Sequence, residues 1–332
     1  MRDTIKGHLL SFSGVFCWSF SEIIVWLLGG QPGSIGNVGS VSLSFYRFFF
    51  GGVFMFIILA ARKDLTGIRE LLRHDKWLLF LSSVVGLGFS NIIYFFGIKL
   101  TEPHVGAALY TSYALFIGIY SIFILNERSN IPMKIAGFVI GLAGTFILLT
   151  NFDLALIIEP GKILGNILLV IAGAIWGFYS VLGKKIMKRN PEVKNVDVKL
   201  STLSFFLACI PAVITLPFVP EASDFLQHTA AEWILIAIIA IVSTAIGIYL
   251  FYKGVKIIDV TYGISYSLLK PVIATVFAFF LLARIIPPAM FVSVPLVSVA
   301  VLLINRKPRK PAIQPEKRPS TGSAAEAKPA HN

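Results

Sequence analysis

Ten long apolar runs determine what this chain can fold into. Each has about the 20 residues that a helix needs to cross a bilayer, and the runs are continuous instead of alternating as barrel strands do. With 56% hydrophobic and 14% charged residues and a mean hydropathy of +0.81, the chain has too little polar surface for a soluble protein. The sequence therefore predicts an all-α membrane protein with ten transmembrane helices. The predicted spans are residues 7–28, 38–61, 77–98, 103–125, 131–150, 162–183, 200–218, 233–252, 260–282 and 286–304.

The basic residues predict how these helices are oriented. With a cytoplasmic N-terminus, Arg47 and Lys270 lie within spans and only Lys99, Lys162 and Arg284 lie outside, while all other Lys and Arg residues lie on the cytoplasmic side. This positive-inside pattern predicts a multi-pass protein of the inner (plasma) membrane with both termini cytoplasmic. The pattern also accounts for the net charge of +12 without a nucleic-acid partner. We interpret the basic clusters as orientation signals that touch anionic lipid.

The chain ends and the cysteines add three expectations. The first apolar run contains Glu22 and has no small-residue cleavage site, so we expect a retained helix and not a signal peptide. The tail at 305–332 is rich in Pro, Lys and Ala without periodicity and is predicted to be a disordered cytoplasmic segment. Cys17 and Cys209 lie in predicted spans, which favours buried thiols over a disulfide or a metal site.

An internal repeat relates the two halves of the chain. The segment FFGIKLTEPHVGAALYTSYA (95–114) lies over YKGVKIIDVTYGISYSLLKP (252–271), at an offset of about 157 residues that corresponds to five predicted helices. An odd number of spans in each repeat means that the second repeat enters the membrane from the opposite side. The sequence therefore predicts two inverted five-helix repeats, residues 1–152 and 153–304, which is an architecture typical of transporters.

Several segments resemble the drug/metabolite transporter superfamily, in particular its EamA-type members with two five-helix repeats. They are FCWSFSE in the first span, SFYRFFFGG in the second, and the block GAALYTSYALFIGIYSIFILNERSNIPMKIAGFVIGLAGTFILL with its second copy GISYSLLKPVIATVFAFFLLARIIPPAMFVSVPLVSVAVLLI. The resemblance covers residues 7 to 304. The proline usual in the fourth helix of a repeat is Ala114 in the first copy and Pro271 in the second. The acidic residue that follows is Glu127 in the first copy and Arg284 in the second.

Three ionisable residues lie well inside the predicted spans. A charge near the bilayer centre costs about 2.5 to 3.5 kcal/mol on the insertion scale, so Glu22, Arg47 and Lys270 should face protein or a watery cavity. Glu22 and Arg47 have similar depths on consecutive helices and form either a structural ion pair or two separate functional charges. The resemblance implies an Arg at position 47. Lys270 has no carboxylate three or four residues away on its own helix.

Helical spacing predicts one central cavity around Lys270. We expect Lys270 to bind an anionic group of a substrate, with the alternative that it bonds backbone carbonyls of neighbouring helices. The resemblance implies such a cavity between helices of both halves, with the fifth and tenth helices outside it. For each aromatic residue, packing in the core is the alternative role. The predicted substrate-binding residues are Lys270, Glu22, Trp18, Tyr94, Asn91, Tyr113, Trp176, Tyr262 and Tyr266.

Other motifs predict structural roles. Arg47 and Glu127 are candidate structural or gating charges, and Glu127 at the inner end of the fourth span is alternatively an interfacial anchor. The spacings Gly137-x-x-x-Gly141 and Gly173-x-x-x-Gly177 predict close helix packing. The first of them lies on the fifth span and is alternatively a dimer contact, so we expect a monomer or a homodimer.

The sequence favours transport over catalysis. It contains no nucleotide-binding P-loop, no H-E-x-x-H, no G-x-S-x-G and no paired Cys/His spacing, so we expect neither an enzyme nor a bound cofactor or metal. The leading interpretation is a secondary transporter, an exporter, of a small polar metabolite such as an amino acid. The alternatives are an organic-anion or sugar-phosphate exchanger and a membrane-embedded lipid-handling protein or enzyme. The expected partners are a small-molecule substrate and the lipid bilayer.

Overall fold

A computed structural model describes residues 2–30, 34–100, 109–153, 160–282 and 285–306. Within them the chain is helical, and one isolated bridge between Gly29 and Asn37 is the only strand-like pairing. The apolar helices are α1 (Arg2–Leu27), α2 (Ser40–Ala61), α3 (Lys76–Phe80, Leu81–Phe89 and Ser90–Lys99), α4 (Tyr113–Ile124), α5 (Ile131–Thr150), α6 (Ile163–Arg189), α7 (Val196–Thr215), α8 (Ala230–Ile238, Ile239–Ile246 and Gly247–Val255), α9 (Val260–Ser265, Tyr266–Leu269 and Lys270–Leu282) and α10 (Met290–Ile304). A short helix, Ile68–His74, precedes α3.

The helices establish a multi-pass membrane protein. In the described part of the chain, eight helices are long and apolar enough to cross a membrane, and α4 and α10 are shorter apolar helices. The fold class is therefore all-α and membrane-spanning, as predicted. Two helices extend beyond their predicted apolar runs, because α6 continues to Arg189 and α7 begins at Val196. Charged residues that the sequence analysis placed in loops are therefore helical. Of the predicted tail at 305–332, residues 307–332 lie outside the described residues, as does Arg284.

Helices of the first half pack mainly on helices of the second half. The first helix of each half lies against the third and fourth helices of the other, so that α1 contacts α8 and α9 while α6 contacts α3 and α4. The second helices, α2 and α7, pack on each other, and each also contacts the third helix of the opposite half. The two last helices, α5 and α10, also pack extensively on each other. Since the helix interfaces run between the halves, neither half has a separate core.

Glycines permit the closest of these approaches. A Cβ at Gly97 on α3 would lie 3.2 Å from the Gly165 carbonyl oxygen on α6, and one at Gly254 on α8 would lie 2.8 Å from the Gly7 carbonyl oxygen on α1. The predicted small-residue motif on α5 packs within the chain, where a Cβ at Gly137 would lie 2.8 Å from the Ala300 carbonyl oxygen of α10. α10 therefore covers the face that the sequence analysis considered for a dimer.

Two π-helical segments and one 3₁₀ segment interrupt the regular helices. Leu81–Phe89 on α3 and Ile239–Ile246 on α8 are π-helical and occupy matching positions in the two halves. Tyr266–Leu269 on α9 is a 3₁₀ turn that ends directly before Lys270. Such segments rotate the side chains that follow them relative to a continuous α-helix and often occur at functional sites.

The two ends of the helix bundle differ in charge. We call one the basic end, which comprises the loops 62–67, 125–130, 190–195 and 256–259, joined to one another by polar contacts between their residues and neighbouring helix termini. The other is the far end, where the loops 34–39 and 219–229 meet. A central cavity lies between the two ends.

Candidate functional site

A small central cavity lies where α1, α2, α3, α4, α6, α8 and α9 meet. Its volume is about 50 Å³, which is the space of one or two water molecules. Its polar lining is contributed by both halves of the chain. The lining residues are Trp18, Ser21, Val25, Arg47, Phe48, Leu87, Asn91, Tyr94, Tyr110, Tyr113, Trp176, Ser243, Ile248 and Lys270.

Arg47 is held between the π-helical segment of α8 and the α-helical turn of α3 that directly follows the other π-helical segment. Its Nε donates a hydrogen bond to Thr244 Oγ1 at 3.2 Å, and its Nη1 donates one to Asn91 Oδ1 at 3.2 Å. The Asn91 amide is itself oriented, because its Nδ2 donates to the Leu87 carbonyl oxygen at 3.1 Å. Thr244 donates to the Ile239 carbonyl five residues earlier, as the π-helical turn permits. The guanidinium therefore links α2 to the third helices of both halves.

Aromatic rings form a continuous wall of the cavity. The Trp18 and Trp176 rings meet edge to face with centroids 5.4 Å apart, and Tyr113 lies 4.6 Å from Trp176. Tyr110 extends the wall, with centroids 5.3 Å from Tyr113 and 4.2 Å from Tyr94. Trp18, Trp176 and Tyr113 are each no more than 7% exposed. A planar or aliphatic group entering the cavity would contact ring faces and edges on several sides.

Lys270 lines the same cavity as Arg47 and the aromatic wall. It begins the last helical segment of α9, directly after the 3₁₀ turn. Pro271, which follows, has no N–H to continue the hydrogen bonds of the preceding turn. Two cationic side chains, Arg47 of α2 and Lys270 of α9, therefore line the same cavity. The side chain of Glu22 lies outside the described residues, and its pairing with Arg47 stays a prediction.

The structure brings six predicted site residues together and places two others elsewhere. Trp18, Asn91, Tyr94, Tyr113, Trp176 and Lys270 all line the cavity.

Tyr262 and Tyr266 do not lie among the lining residues, contrary to the prediction. The Tyr266 hydroxyl lies 3.1 Å from His8 Nδ1, and the Lys134 ammonium lies 4.8 Å from the Tyr262 ring centroid. The prediction assumed a continuous α-helix, whereas Tyr266–Leu269 is a 3₁₀ turn, whose roughly 3.0 residues per turn change the angular spacing between the tyrosines and Lys270.

Glu127 lies at the basic end, away from the cavity. Its Oε1 is 2.9 Å from Lys184 Nζ, and its Oε2 accepts a hydrogen bond at 3.1 Å from the backbone N–H of Val260, the first residue of α9. The Glu127 side chain is 4% exposed and the Lys184 side chain 6%. The carboxylate therefore ties the end of α4 to the end of α6 and the start of α9. This is a buried position, whereas an interfacial anchor would be exposed.

Sequence reasoning missed several lining residues. Tyr110 lies three residues before Tyr113 and shares its helix face, so the spacing contained a signal for it. Ser21 and Ser243 are small polar residues in long apolar helices, and nothing in their local spacing sets them apart. Among the described residues no group of three or more His, Cys, Asp or Glu side chains is placed to hold a metal ion. The chemistry present is that of binding: two cations, hydroxyl and amide groups, and aromatic rings.

Comparison with known proteins identifies the family twice along the chain. The profile of the EamA-like transporter family matches residues 5–150 and 163–306. The chain is 25% identical over 267 residues to the aromatic amino acid exporter YddG of Ancylobacter novellus, covering 80% of this chain and 88% of that protein. It is 23% identical over 312 residues to the riboflavin transporter ImpX of Fusobacterium nucleatum subsp. nucleatum, covering 92% of this chain and 99% of that protein.

A solved crystal structure supports the fold. It superposes with a TM-score of 0.71 at 23% identity and covers 90% of this chain and 96% of the other. At this identity the likeness concerns the fold alone.

Proposed function

The chain belongs to the EamA-like transporter family, and from that premise we propose that it is a secondary transporter that exports an amino acid or a similar small carboxylate-bearing metabolite. The family and its relatives are transporters and not enzymes, which excludes the membrane-enzyme alternative. The polar lining residues lie centrally, between helices of both halves. This position favours a water-soluble substrate over a lipid that enters from the side.

One observation carries the proposal: Arg47 and Lys270 line the same cavity as the wall of Trp18, Trp176 and Tyr113. A cation binds a carboxylate by charge-assisted hydrogen bonds. Aromatic faces bind an ammonium group through cation–π interaction, and they also pack against an apolar side chain. An amino acid has all of these groups, so the lining matches its chemistry at both ends.

The small volume of the cavity requires movement during transport. An amino acid does not fit into about 50 Å³, so its binding must widen the cavity. Because the walls come from both halves, rocking of one half against the other changes the width of the cavity and its access to either side. This is the alternating-access mechanism that we propose. In this mechanism the ten spans form two inverted five-helix repeats, and these repeats are the two parts that move relative to each other.

We propose that the basic end is cytoplasmic and that both termini lie there, in the inner membrane. The support is the positive-inside distribution of Lys and Arg. Glu192→Cys, in the loop between α6 and α7, should react with a membrane-impermeant thiol reagent only when the inner face is accessible, in a background that lacks Cys17 and Cys209. Labelling of this position in intact cells would show that the basic end faces outward and would contradict the proposed orientation.

Replacement of Lys270 tests the proposed function. We expect Lys270→Met to lower counterflow of labelled substrate in proteoliposomes at least about tenfold, because loss of a charged hydrogen bond to a carboxylate costs about 1.5 to 3 kcal/mol. Lys270→Arg should retain part of the activity because it keeps the charge. The control is Lys76→Met, which removes an exposed lysine at the basic end and should transport normally. Unchanged counterflow by a folded Lys270→Met protein would contradict the proposal.

A second candidate function is the exchange of organic anions, which the two cations on one cavity favour. Counterflow measured with a panel of labelled substrates distinguishes amino-acid export from organic-anion exchange. The panel contains aromatic and aliphatic amino acids, because a similar protein is named an aromatic amino acid exporter. It also contains sugar phosphates and dicarboxylates, and riboflavin because of the relative named for it. Counterflow of a phosphorylated sugar without counterflow of any amino acid would establish the second candidate instead.

A further inference from the structure

A second cavity, larger than the central one, opens on the side of the bundle near the basic end. It measures about 220 Å³ and is lined by apolar residues of α2, α7 and α8 together with one charged residue. α2 packs on the π-helical segment of α8 towards the far end, and the cavity occupies the space between the two helices towards the basic end. We call it the lateral groove. Its lining residues are Phe54, Met55, Ile58, Arg62, Val198, Ile246, Tyr249 and Leu250.

The charged and polar groups of the lateral groove lie where the two helices reach the basic end. Arg62 directly follows the last residue of α2. Lys253, one turn beyond Tyr249 on α8, donates a hydrogen bond from Nζ to the Tyr249 hydroxyl oxygen at 2.7 Å. Since an ammonium only donates, the tyrosine oxygen accepts and its own proton stays available for another acceptor. Within the described chain, the ion pairs at this end involve other lysines and arginines and neither Arg62 nor Lys253.

The corresponding place in the other half is filled and apolar. At the repeat offset, Arg62, Tyr249 and Lys253 correspond to Val219, Ile92 and Phe96. There Val41, Ile92 and Ala212 form a buried cluster, against which Phe45, Leu216 and Val219 pack.

The repeat architecture therefore does not require an open groove between these helices. Among the residues that the structure describes, the copy at the basic end combines an open apolar cavity with cations and a hydroxyl donor, whereas the other copy presents the buried apolar cluster. The apolar cluster lies towards the far end and the open groove towards the basic end. The open groove therefore lies at the end of the bundle that carries the basic residues.

We infer that the lateral groove binds one phospholipid with an anionic headgroup from the cytoplasmic leaflet. An acyl chain lies along Phe54, Ile58 and Leu250, and the headgroup phosphate accepts hydrogen bonds from Arg62, Lys253 and the Tyr249 hydroxyl. The neighbouring α2 side chains Phe56 and Ile57 are 44% and 58% exposed, as expected for a surface that faces lipid tails. The inference rests on the proposed orientation of the basic end and is independent of the transported substrate.

Lipid retention by purified protein tests the headgroup contacts. Native mass spectrometry after extraction from membranes that contain phosphatidylglycerol should show one retained anionic lipid. The double variant Arg62→Gln/Lys253→Gln should retain at least about tenfold less, because each basic residue adds to binding of an anionic headgroup. The matched control Arg73→Gln/Lys76→Gln removes two exposed charges from the same end and should retain the lipid. Equal loss in both double variants would overturn the inference in favour of general surface attraction.

A pair of neighbouring substitutions tests the acyl-chain cavity. Ile58→Trp adds volume inside the lateral groove, whereas Ile57→Trp adds the same volume on the exposed face of α2. We expect only Ile58→Trp to abolish lipid retention. In wild type, phosphatidylglycerol should raise the midpoint of thermal unfolding more than phosphatidylcholine or inorganic phosphate does. Retention by Ile58→Trp, or equal stabilisation by phosphatidylcholine or by phosphate alone, would overturn the inference.

Discussion

The two ends of the bundle are held together by different kinds of bond. At the basic end, carboxylates and cations from distant parts of the chain pair with each other, as in Glu127 with Lys184 and Asp64 with Lys199. At the far end, carboxylates accept hydrogen bonds from backbone N–H groups. Glu221 binds the N–H groups of Val41 and Ser42 at the start of α2.

The two kinds of bond differ in what must happen when the helices at that end separate. A buried ion pair leaves two uncompensated charges if it is broken without water, so its separation must be coupled to hydration. When a half-buried carboxylate separates from a helix N-terminus, it leaves its own charge and polar backbone N–H groups, all of which water can hydrate. Under the proposed alternating access, the basic end is therefore the end whose opening depends on specific charge partners. Three predictions test this contrast.

The largest effect is expected for the Glu127–Lys184 pair. Glu127→Gln leaves Lys184, only 6% exposed, without its countercharge and should lower the free energy of unfolding by about 3 kcal/mol. Lys184→Met should have a similar effect, because the buried Glu127 carboxylate then keeps only the exposed Lys188 ammonium, at 3.7 Å, as a cation partner. The double variant should lose at least about 1 kcal/mol less than the sum of the single variants. Titration with a denaturing detergent measures all three.

Lys188 provides the control for this pair. Its ammonium lies 3.7 Å from the same Glu127 oxygen, but its side chain is 52% exposed. Lys188→Met should therefore change the free energy of unfolding by less than about 1 kcal/mol. If the effects of the Glu127 and Lys184 substitutions simply add, the pair is not the bond that holds the basic end.

A smaller effect is expected at the far end. Glu221→Ala removes the acceptor for two N–H groups of the first turn of α2 and should cost about 1 to 2 kcal/mol. Asp224→Ala, in the same loop, removes only an exposed contact with Ser223 and serves as the control. Thermal unfolding in detergent measures both. A loss as large as that of Glu127→Gln would remove the contrast between the two ends.

The membrane class and the family followed from the sequence because they depend on composition, run length and repeated segments. Part of the cavity lining followed as well, since Trp18, Asn91, Tyr94, Tyr113, Trp176 and Lys270 stand out as polar or aromatic residues within apolar runs. Helical spacing failed at Tyr262 and Tyr266, because a 3₁₀ turn is not visible in the hydrophobic pattern.

The ion pairs at the basic end did not follow from the sequence. The basic clusters were interpreted as orientation signals, yet Lys184 and Lys199 are buried in ion pairs with Glu127 and Asp64. Their partners lie far away in sequence, on helices whose neighbours a single sequence does not reveal. A basic residue beside an apolar run has the same local pattern whether it is solvated or paired. The packing of α6 and α7 in the structure shows that Lys184 and Lys199 are paired and not solvated.

The smallest expected effect is a pH dependence at Asp64, in the loop after α2. Hydrogen bonds from Lys199 and then Asn195 hold the pKa of the Asp64 carboxyl below its usual range. A depressed pKa in the folded state means that the stabilisation is fully present above the unfolded value of about 3.9 and is lost as the pH falls through the folded value. The difference in midpoint of thermal unfolding between wild type and Asp64→Asn should therefore be constant from about pH 7 to pH 5 and shrink below about pH 4. In a Lys199→Met background the difference should be smaller at neutral pH, because the first donor is gone. A wild-type advantage that persists unchanged at low pH would show that Asp64 acts through its shape and not through its charge, and that the basic end does not depend on this pair.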